Sequence, residues 1–190
     1  INNKLITTAK TIKFLGLTFD QRLNWTEHIN KVTENCKKKI NLLRSLTGHQ
    51  WGASKTTLLK IYRTLIRPRL EYGSELFFTA TKKSLQKIET IQNTCLRIAT
   101  GAMKGTSTDA LLQECGELPI ALRRKRSTLR YIGKIKTSNI NPAKEILEDT
   151  WENHYGKFKS GTEPIYLQTS NFLSTISSVS PATINNVPPW

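Results

Sequence analysis

Cysteine, aromatic residues and acid are all scarce in this chain of 190 residues, and each scarcity removes a class of explanation. The three cysteines, Cys36, Cys95 and Cys115, stand far apart among apolar neighbours. That spacing suggests neither a disulfide framework nor a zinc cluster, so they read as small buried hydrophobes in a reducing compartment. No apolar run reaches the roughly 20 residues that span a bilayer, and the start Ile1-Asn2-Asn3-Lys4 lacks a signal-peptide core. A soluble intracellular protein without membrane contact is the expectation. No glycine-rich phosphate loop or nucleophile elbow is present. His28, His49 and His154 are scattered without ligand spacing; they read as a helix-surface residue, part of the turn at Gly48 and a linker residue. Asp20 is the only acid before Glu27, so the strand region cannot assemble a paired-carboxylate metal site by itself. No catalytic residue and no metal ligand is assigned. Aromatics make up 8% of the chain. Trp25, Tyr62 and Tyr72 fall where bundle packing accounts for them, leaving no good candidate for base stacking.

What the chain has in excess is base. It carries 29 Lys+Arg against 14 Asp+Glu, a net charge of +15, which favours a polyanionic partner, nucleic acid ahead of an anionic membrane surface. Hydrophobic residues amount to 37%, enough for a modest core. The first residue is not Met and the last three are Pro188-Pro189-Trp190; the chain reads as an internal piece of a longer polypeptide.

In chain order, Lys4 to Thr7 and Ile12 to Phe19 have strand composition and predict a hairpin across Thr8 to Thr11. Asn24 with Glu27 has the outline of a capping box. From there Ile29, Val32, Cys36, Ile40, Leu43 and Leu46 form one apolar stripe, with Gly48 as the stop. Ser54 suits the cap of a second helix with Leu58, Ile61, Tyr62, Leu65 and Ile66 on one face. Pro68 should kink or end it, and Leu70 to Phe78 resume it. Leu85, Ile88, Ile91, Cys95 and Ile98 define a third helix closed by Gly101. A short fourth runs from about Ser107 or Thr108 to Gly116, and Pro119 opens a fifth with Leu122, Leu129, Ile132 and Ile135 on one side. A further short helix is expected from Asn141-Pro142 over Ala143 to Asp149. Beyond Trp151 the apolar period fades, and a polar tail or linker is expected. The fold class is therefore mainly α: a short N-terminal β-hairpin, a helical bundle and an irregular C-terminal linker.

Two basic clusters stand out. Lys37 and Lys38, with Lys39, lie beside Glu34, and Lys31 and Arg44 extend that polarity; a solvated face and phosphate contact are equally open for Lys37 to Lys39. The fifth helix carries Arg123, Arg124, Lys125, Arg126, Arg130, Lys134 and Lys136 with no acid between Pro119 and Thr137. Its self-repulsion calls for neutralisation by solvent ions or phosphates, and for Arg123 to Arg130 phosphate contact is preferred over a solvated face.

Three ordered motifs carry a resemblance. They are Lys13-Phe14-Leu15-Gly16-Leu17-Thr18-Phe19-Asp20 with Leu23-Asn24-Trp25-Thr26-Glu27-His28-Ile29; Tyr62 to Gly73; and Ile91 to Ala102. The chain resembles the region downstream of the polymerase palm in reverse transcriptases of non-LTR (LINE-type, jockey-like) retrotransposons, over roughly residues 10 to 135. The resemblance implies that Phe14, Leu15, Gly16 and Leu17 form a primer-grip-like element. For Gly16, close approach to a nucleic acid strand and a simple strand bulge are both open. It further implies a palm end at 1–23, a helical thumb at 24–104, a basic helical connection at 105–150 and a linker at 151–190 that can precede a ribonuclease H domain. RNA and DNA as a template–primer duplex, together with the rest of the parent polyprotein, are the implied partners. The implied setting is intracellular, nuclear during integration with a cytoplasmic ribonucleoprotein stage. The catalytic aspartates and the Mg²⁺ they hold belong to the palm upstream, so no cofactor is expected in this segment and no polymerase activity of its own. A self-contained basic helical nucleic-acid-binding module and a helical protein-interaction scaffold are the alternatives.

Overall fold

Leu15 and Gly16 both have positive φ, 46° and 81°, and they fold the first strand region back on itself. The structure, a computed structural model, describes residues 9–48, 52–137 and 141–144. Strands β1 (Thr11–Phe14) and β2 (Leu17–Asp20) pair antiparallel with Phe14 opposite Leu17 and Thr11 opposite Asp20. Two consecutive positive-φ residues are the mark of a type I′ turn, whose twist suits a two-residue hairpin loop. The single strand expected from Ile12 to Phe19 is therefore corrected. Ile12 to Phe19 is a hairpin in itself, and Lys4 to Thr7 lies outside the described residues. Only β2 is covered: Leu17 and Thr18 are buried, whereas Ile12, Phe14 and Leu15 are exposed.

The Asp20 carboxylate then turns the chain into the helices. Its Oδ1 accepts the amides of Arg22 (3.0 Å) and Asn24 (2.9 Å), and its Oδ2 accepts that of Trp25 (2.7 Å). Leu23 and Trp25 have φ of 52° and 59°, a left-handed conformation costing about 1–2 kcal/mol for a residue with a Cβ. The carboxylate bonds offset that cost. Trp25 is the residue before α1 (Thr26–Ser45), and no side chain caps that helix. The Asn24 and Glu27 capping box is accordingly not formed, because the left-handed Trp25 occupies the cap position. The α1 stripe is as expected, with Ile29, Cys36, Ile40 and Leu43 buried. The helix closes at Ser45, ahead of Gly48, through Leu46 and Thr47 amides bonded to Leu43 and Arg44 carbonyls.

Ser54 caps α2 (Lys55–Ile61), its side chain accepting the Thr57 amide at 3.3 Å. A π-helical turn follows over Tyr62–Ile66 and leads into α3 (Arg67–Glu71), which has Pro68 in its first turn. The wider turn accommodates the missing proline amide without breaking the helical path. Leu70 to Phe78 does not resume as one helix: Tyr72 is extended, Gly73 is left-handed and Ser74–Thr79 form a 3-10 helix. Thr81 caps α4 (Lys82–Thr100), which Gly101 closes; α5 (Thr108–Cys115) is closed by Gly116; α6 spans Ile120–Thr137. On α6 Leu122 is exposed while Ile120, Ile132 and Ile135 are buried. Of the short helix expected after Asn141, only 141–144 are described.

The chain divides into two compact units, Ile1–Thr128 and Leu129–Trp190. In the first, the core forms where α1 packs on α4, with Ile29, Cys36, Ile40 and Leu43 clustered with Ile88, Ile91, Cys95 and Leu96; Leu58, Tyr62, Ile66 and Leu70 complete it. Cys36, Cys95 and Cys115 are free and buried as expected, and burial pushes the Cys36 thiol up to about 11 and the Cys95 thiol up to about 12.

The Asp20 turn is testable. Asp20→Ala should cost about 2 kcal/mol in urea unfolding, because three amides lose a charged acceptor, and Asp20→Asn about half that.

Candidate nucleic-acid interface

Two of the three sequence motifs meet in space. Tyr72 donates its hydroxyl hydrogen bond to the Leu15 carbonyl at 2.6 Å. Gly73 has φ 66°, and a Cβ there would stand 2.7 Å from Leu17 Cδ2. Glycine at 73 thus answers both to a left-handed backbone and to the Leu17 side chain seated on it. The Tyr72-Gly73 pair locks the hairpin turn to the end of α3.

Trp25 fastens the other end of the hairpin. Its ring lies 5.1 Å from that of Phe19 and 5.5 Å from that of Phe77, and its Nε1 donates to Thr79 Oγ1 at 3.0 Å. Thr79 in turn donates to the Leu23 carbonyl. His28 packs edge-on to Trp25 and accepts the Thr18 amide on Nδ1 at 3.2 Å. It is 4% exposed, which corrects its expected place on the helix surface. The reason is the hairpin, which folds over that face of α1. Burial, with the charge of Lys31 second, holds the His28 pKa below its ordinary value.

Between the docked hairpin, α1 and α3 lies a groove of about 740 Å³. Its cationic lining is Lys13 from β1, Lys31 and Lys39 from α1, and Arg69 from α3; Gly16, Asn35, Thr64 and Tyr72 add polar groups and turn backbone. Among the described residues no acid lines it. Lys31 forms a surface pair with Glu27 at 3.6 Å, a contact that contributes little. Lys13, Lys39 and Arg69 have no ion-pair partner among the described residues. Positive charge facing a concave wall focuses the field on a polyanion.

The relatives of the chain agree in kind. It is 29% identical over 102 residues to the RNA-directed DNA polymerase from mobile element jockey of Drosophila melanogaster, covering 54% of this chain and 11% of that protein. The jockey polymerase of Drosophila funebris gives 28% over 102 residues, with the same coverage of 54% and 11%. The Retrovirus-related Pol polyprotein from type-1 retrotransposable element R1 4 of Nasonia vitripennis gives 25% over 131 residues, 69% of this chain and 33% of that protein. The chain is similar to RNA-directed DNA polymerases of non-LTR retrotransposons. It spans from 11% to 33% of the length of these relatives. No protein-family model matches it, and no solved structure does.

Against these polymerase-like motifs, the expected site residues divide. Of the primer-grip-like stretch, Phe14 and Leu15 are exposed on the hairpin, Gly16 lines the groove and Leu17 is buried against Gly73. Lys37 is paired with Glu34 at 2.7 Å, and Arg44 bonds to Asn41 at 3.2 Å. At 100° per residue both lie across α1 from the Lys31, Asn35 and Lys39 side that lines the groove. Lys38 is exposed and stands outside the lining. Arg123 binds the Glu71 carboxylate, and the next turn of α6 bonds Ser127 to Glu75 at 2.7 Å. Compensating acid for this helix therefore exists, 52 residues earlier in sequence, where a local reading of charge cannot find it. Arg124 is half-buried, and desolvation holds its guanidinium below the ordinary value, with Glu89 opposing. Arg126, Arg130 and Lys134 are exposed at every fourth position of α6.

Lys13, Arg69 and Tyr72 were not singled out from the sequence as site residues, whereas Lys39 belonged to the run where phosphate contact was open and Lys31 to its polar extension. Lys31 and Lys39, eight residues apart on one helix face, carried a readable periodic signal; Lys13 and Arg69 carried none before the hairpin register was known. Tyr72, expected in the packing, is 55% exposed. His49 and His154 lie outside the described residues. Among the described residues no group of three or more His, Cys, Asp or Glu could hold a metal ion. No described helix is long and apolar enough to cross a membrane.

His28 ties the hairpin to pH. An unfolded histidine takes up a proton near its ordinary value of about 6.5, which the folded site resists, so stability is full above that value and falls as pH drops below it. Urea midpoints at pH 7.5 and 5.5 should show this loss for the native chain. His28→Gln, which keeps an acceptor for the Thr18 amide, should reduce it.

Proposed function

We propose that this chain is the template–primer-holding part of a non-LTR retrotransposon RNA-directed DNA polymerase, engaging the sugar-phosphate backbone and helping to position the primer end. The observation that carries this reading is the groove in which Lys13, Lys31, Lys39 and Arg69 stand beside the Leu15-Gly16 turn with no acid among its described lining residues. Phosphate contacts of this kind fix position and register without reading base identity, which suits an enzyme that must copy any sequence. The exposed Arg126, Arg130 and Lys134 of α6 offer further backbone contacts of the same type. The chain's task is positioning; nucleotidyl transfer, with its Mg²⁺, is assigned to a palm in the parent polyprotein. Action on chromosomal DNA would place the parent in the nucleus at integration, after a cytoplasmic ribonucleoprotein stage.

The test is salt-titrated binding of the chain, by fluorescence anisotropy, to an RNA–DNA hybrid that carries an unpaired template overhang. The logarithm of affinity should fall linearly with the logarithm of salt. Replacing Lys13, Lys31, Lys39 and Arg69 together by Gln should flatten the slope by about 3 to 4, at roughly 0.7–0.9 for each phosphate no longer neutralised. An unchanged slope sinks the groove as the site, and salt-insensitive or absent binding favours a protein-interaction scaffold.

A further inference from the structure

We infer that the basic groove takes an unpaired nucleic acid strand, with Tyr72 as the platform on which one of its bases stacks. The inference rests on the nucleic-acid reading of the groove and specifies which form of nucleic acid enters.

Tyr72 lines the groove and is 55% exposed, a large uncovered area for a ring fixed at both ends. Its backbone leaves the end of α3 in an extended conformation, and its hydroxyl is tied to the Leu15 carbonyl at 2.6 Å. Part of the ring rests over Gly16, where an added Cβ would meet Tyr72 Cε1 at 3.5 Å. A ring held this way has little rotamer freedom left to lose on binding, which makes it an effective stacking surface. The lining supplies the second half of single-strand recognition, since Lys13, Lys31, Lys39 and Arg69 stand round the same hollow to follow a phosphate backbone.

Two considerations favour an unpaired strand over a duplex in the hollow itself. In a duplex the base faces are already stacked on one another, so an aromatic ring finds a free face only where bases are unpaired. The volume of about 740 Å³ also falls among pockets of roughly 300–1,000 Å³ that enclose a drug-sized ligand. That suits a short stretch of one strand. Stacking tolerates every base, as a non-specific polymerase part requires, and Asn35 and Thr64 on the same lining add neutral hydrogen-bonding groups.

The experiment measures anisotropy binding of the chain to an unpaired DNA oligonucleotide, the RNA of the same sequence, the same DNA strand with abasic positions, and a blunt RNA–DNA hybrid. The unpaired strands should bind more tightly than the abasic strand, by about 5- to 100-fold, although both carry the same phosphates. Tyr72→Leu should weaken unpaired-strand binding over the same range and abolish the difference from the abasic strand, with its salt slope retained. Tyr72→Phe, which loses the bond to Leu15 but keeps the ring, should stay within about 2-fold of native. Equal affinity for intact and abasic strands in the native chain overturns the inference without recourse to any variant. Equal losses in the Phe and Leu variants also overturn it, because the ring would then be only a brace for the turn. If those results fail while the Gln substitutions still flatten the salt slope, the groove remains a phosphate site and only the stacking falls. If the Gln substitutions have no effect, both readings fall together.

Discussion

The carboxylate of Asp20, receiving the amides of Arg22, Asn24 and Trp25, is the contact on which the arrangement of the first unit depends. It holds Leu23 and Trp25 in left-handed backbone that neither residue would adopt in isolation. That backbone reverses the chain between β2 and α1 and delivers the Trp25 indole to Phe19, His28 and Phe77. Because His28 then accepts the Thr18 amide, the hairpin is fixed to the first turn of α1 by hydrogen bonds as well as by packing. A charge-assisted bond of this kind is stronger than a neutral one, which is why a single short acid can organise so strained a turn.

The second consequence appears 50 residues on. With the hairpin docked, Leu17 lies on Gly73 and the Leu15 carbonyl receives the Tyr72 hydroxyl, so sequence motifs that look independent form one contact. The groove is what this contact leaves open between β1, α1 and α3. Its cations come from three elements whose spacing is set by apolar packing, and none of them needs to hold the others in place. Farther along, the buried Glu117 binds Arg63 at 2.6 Å and Arg67 at 3.3 Å, while the Gln92 side chain bonds the Leu118 carbonyl and the Ile120 amide. These bonds anchor the link from α5 to α6 and consume two arginines that would otherwise belong to the basic surface.

Helices α4 and α5 were legible in the sequence because their stripes and their glycine stops agree, and α1 was legible from its stripe alone. Ser54 was legible as a cap because an apolar stripe follows it. The hairpin register was not, since Leu15 is a poor announcement of a positive-φ turn and only Gly16 beside it has the usual chemistry. His28 could not be assigned to the interior because what buries it, β2, comes from a different element. The candidate site was the least legible part. The runs at Lys37-Lys38-Lys39 and Arg123-Arg124 drew the eye by density, and of the first only Lys39 faces the groove, where Lys13, Lys31 and Arg69 join it from elsewhere in the sequence.

That contrast has a physical basis. A dense run of like charge is under strain along its own helix, and the fold relieves it wherever an acid can be brought up, as Glu71 does for Arg123 and Glu34 for Lys37. The cations of the groove come from three elements, with Lys31 and Lys39 eight residues apart on α1, so they converge on a hollow without forming a dense run, and among the described residues no acid lines it. Their mutual repulsion is then relieved by what enters. A chain with a net charge of +15 can place base almost anywhere on its surface; the informative places are those where the fold has left base concave, convergent and uncompensated.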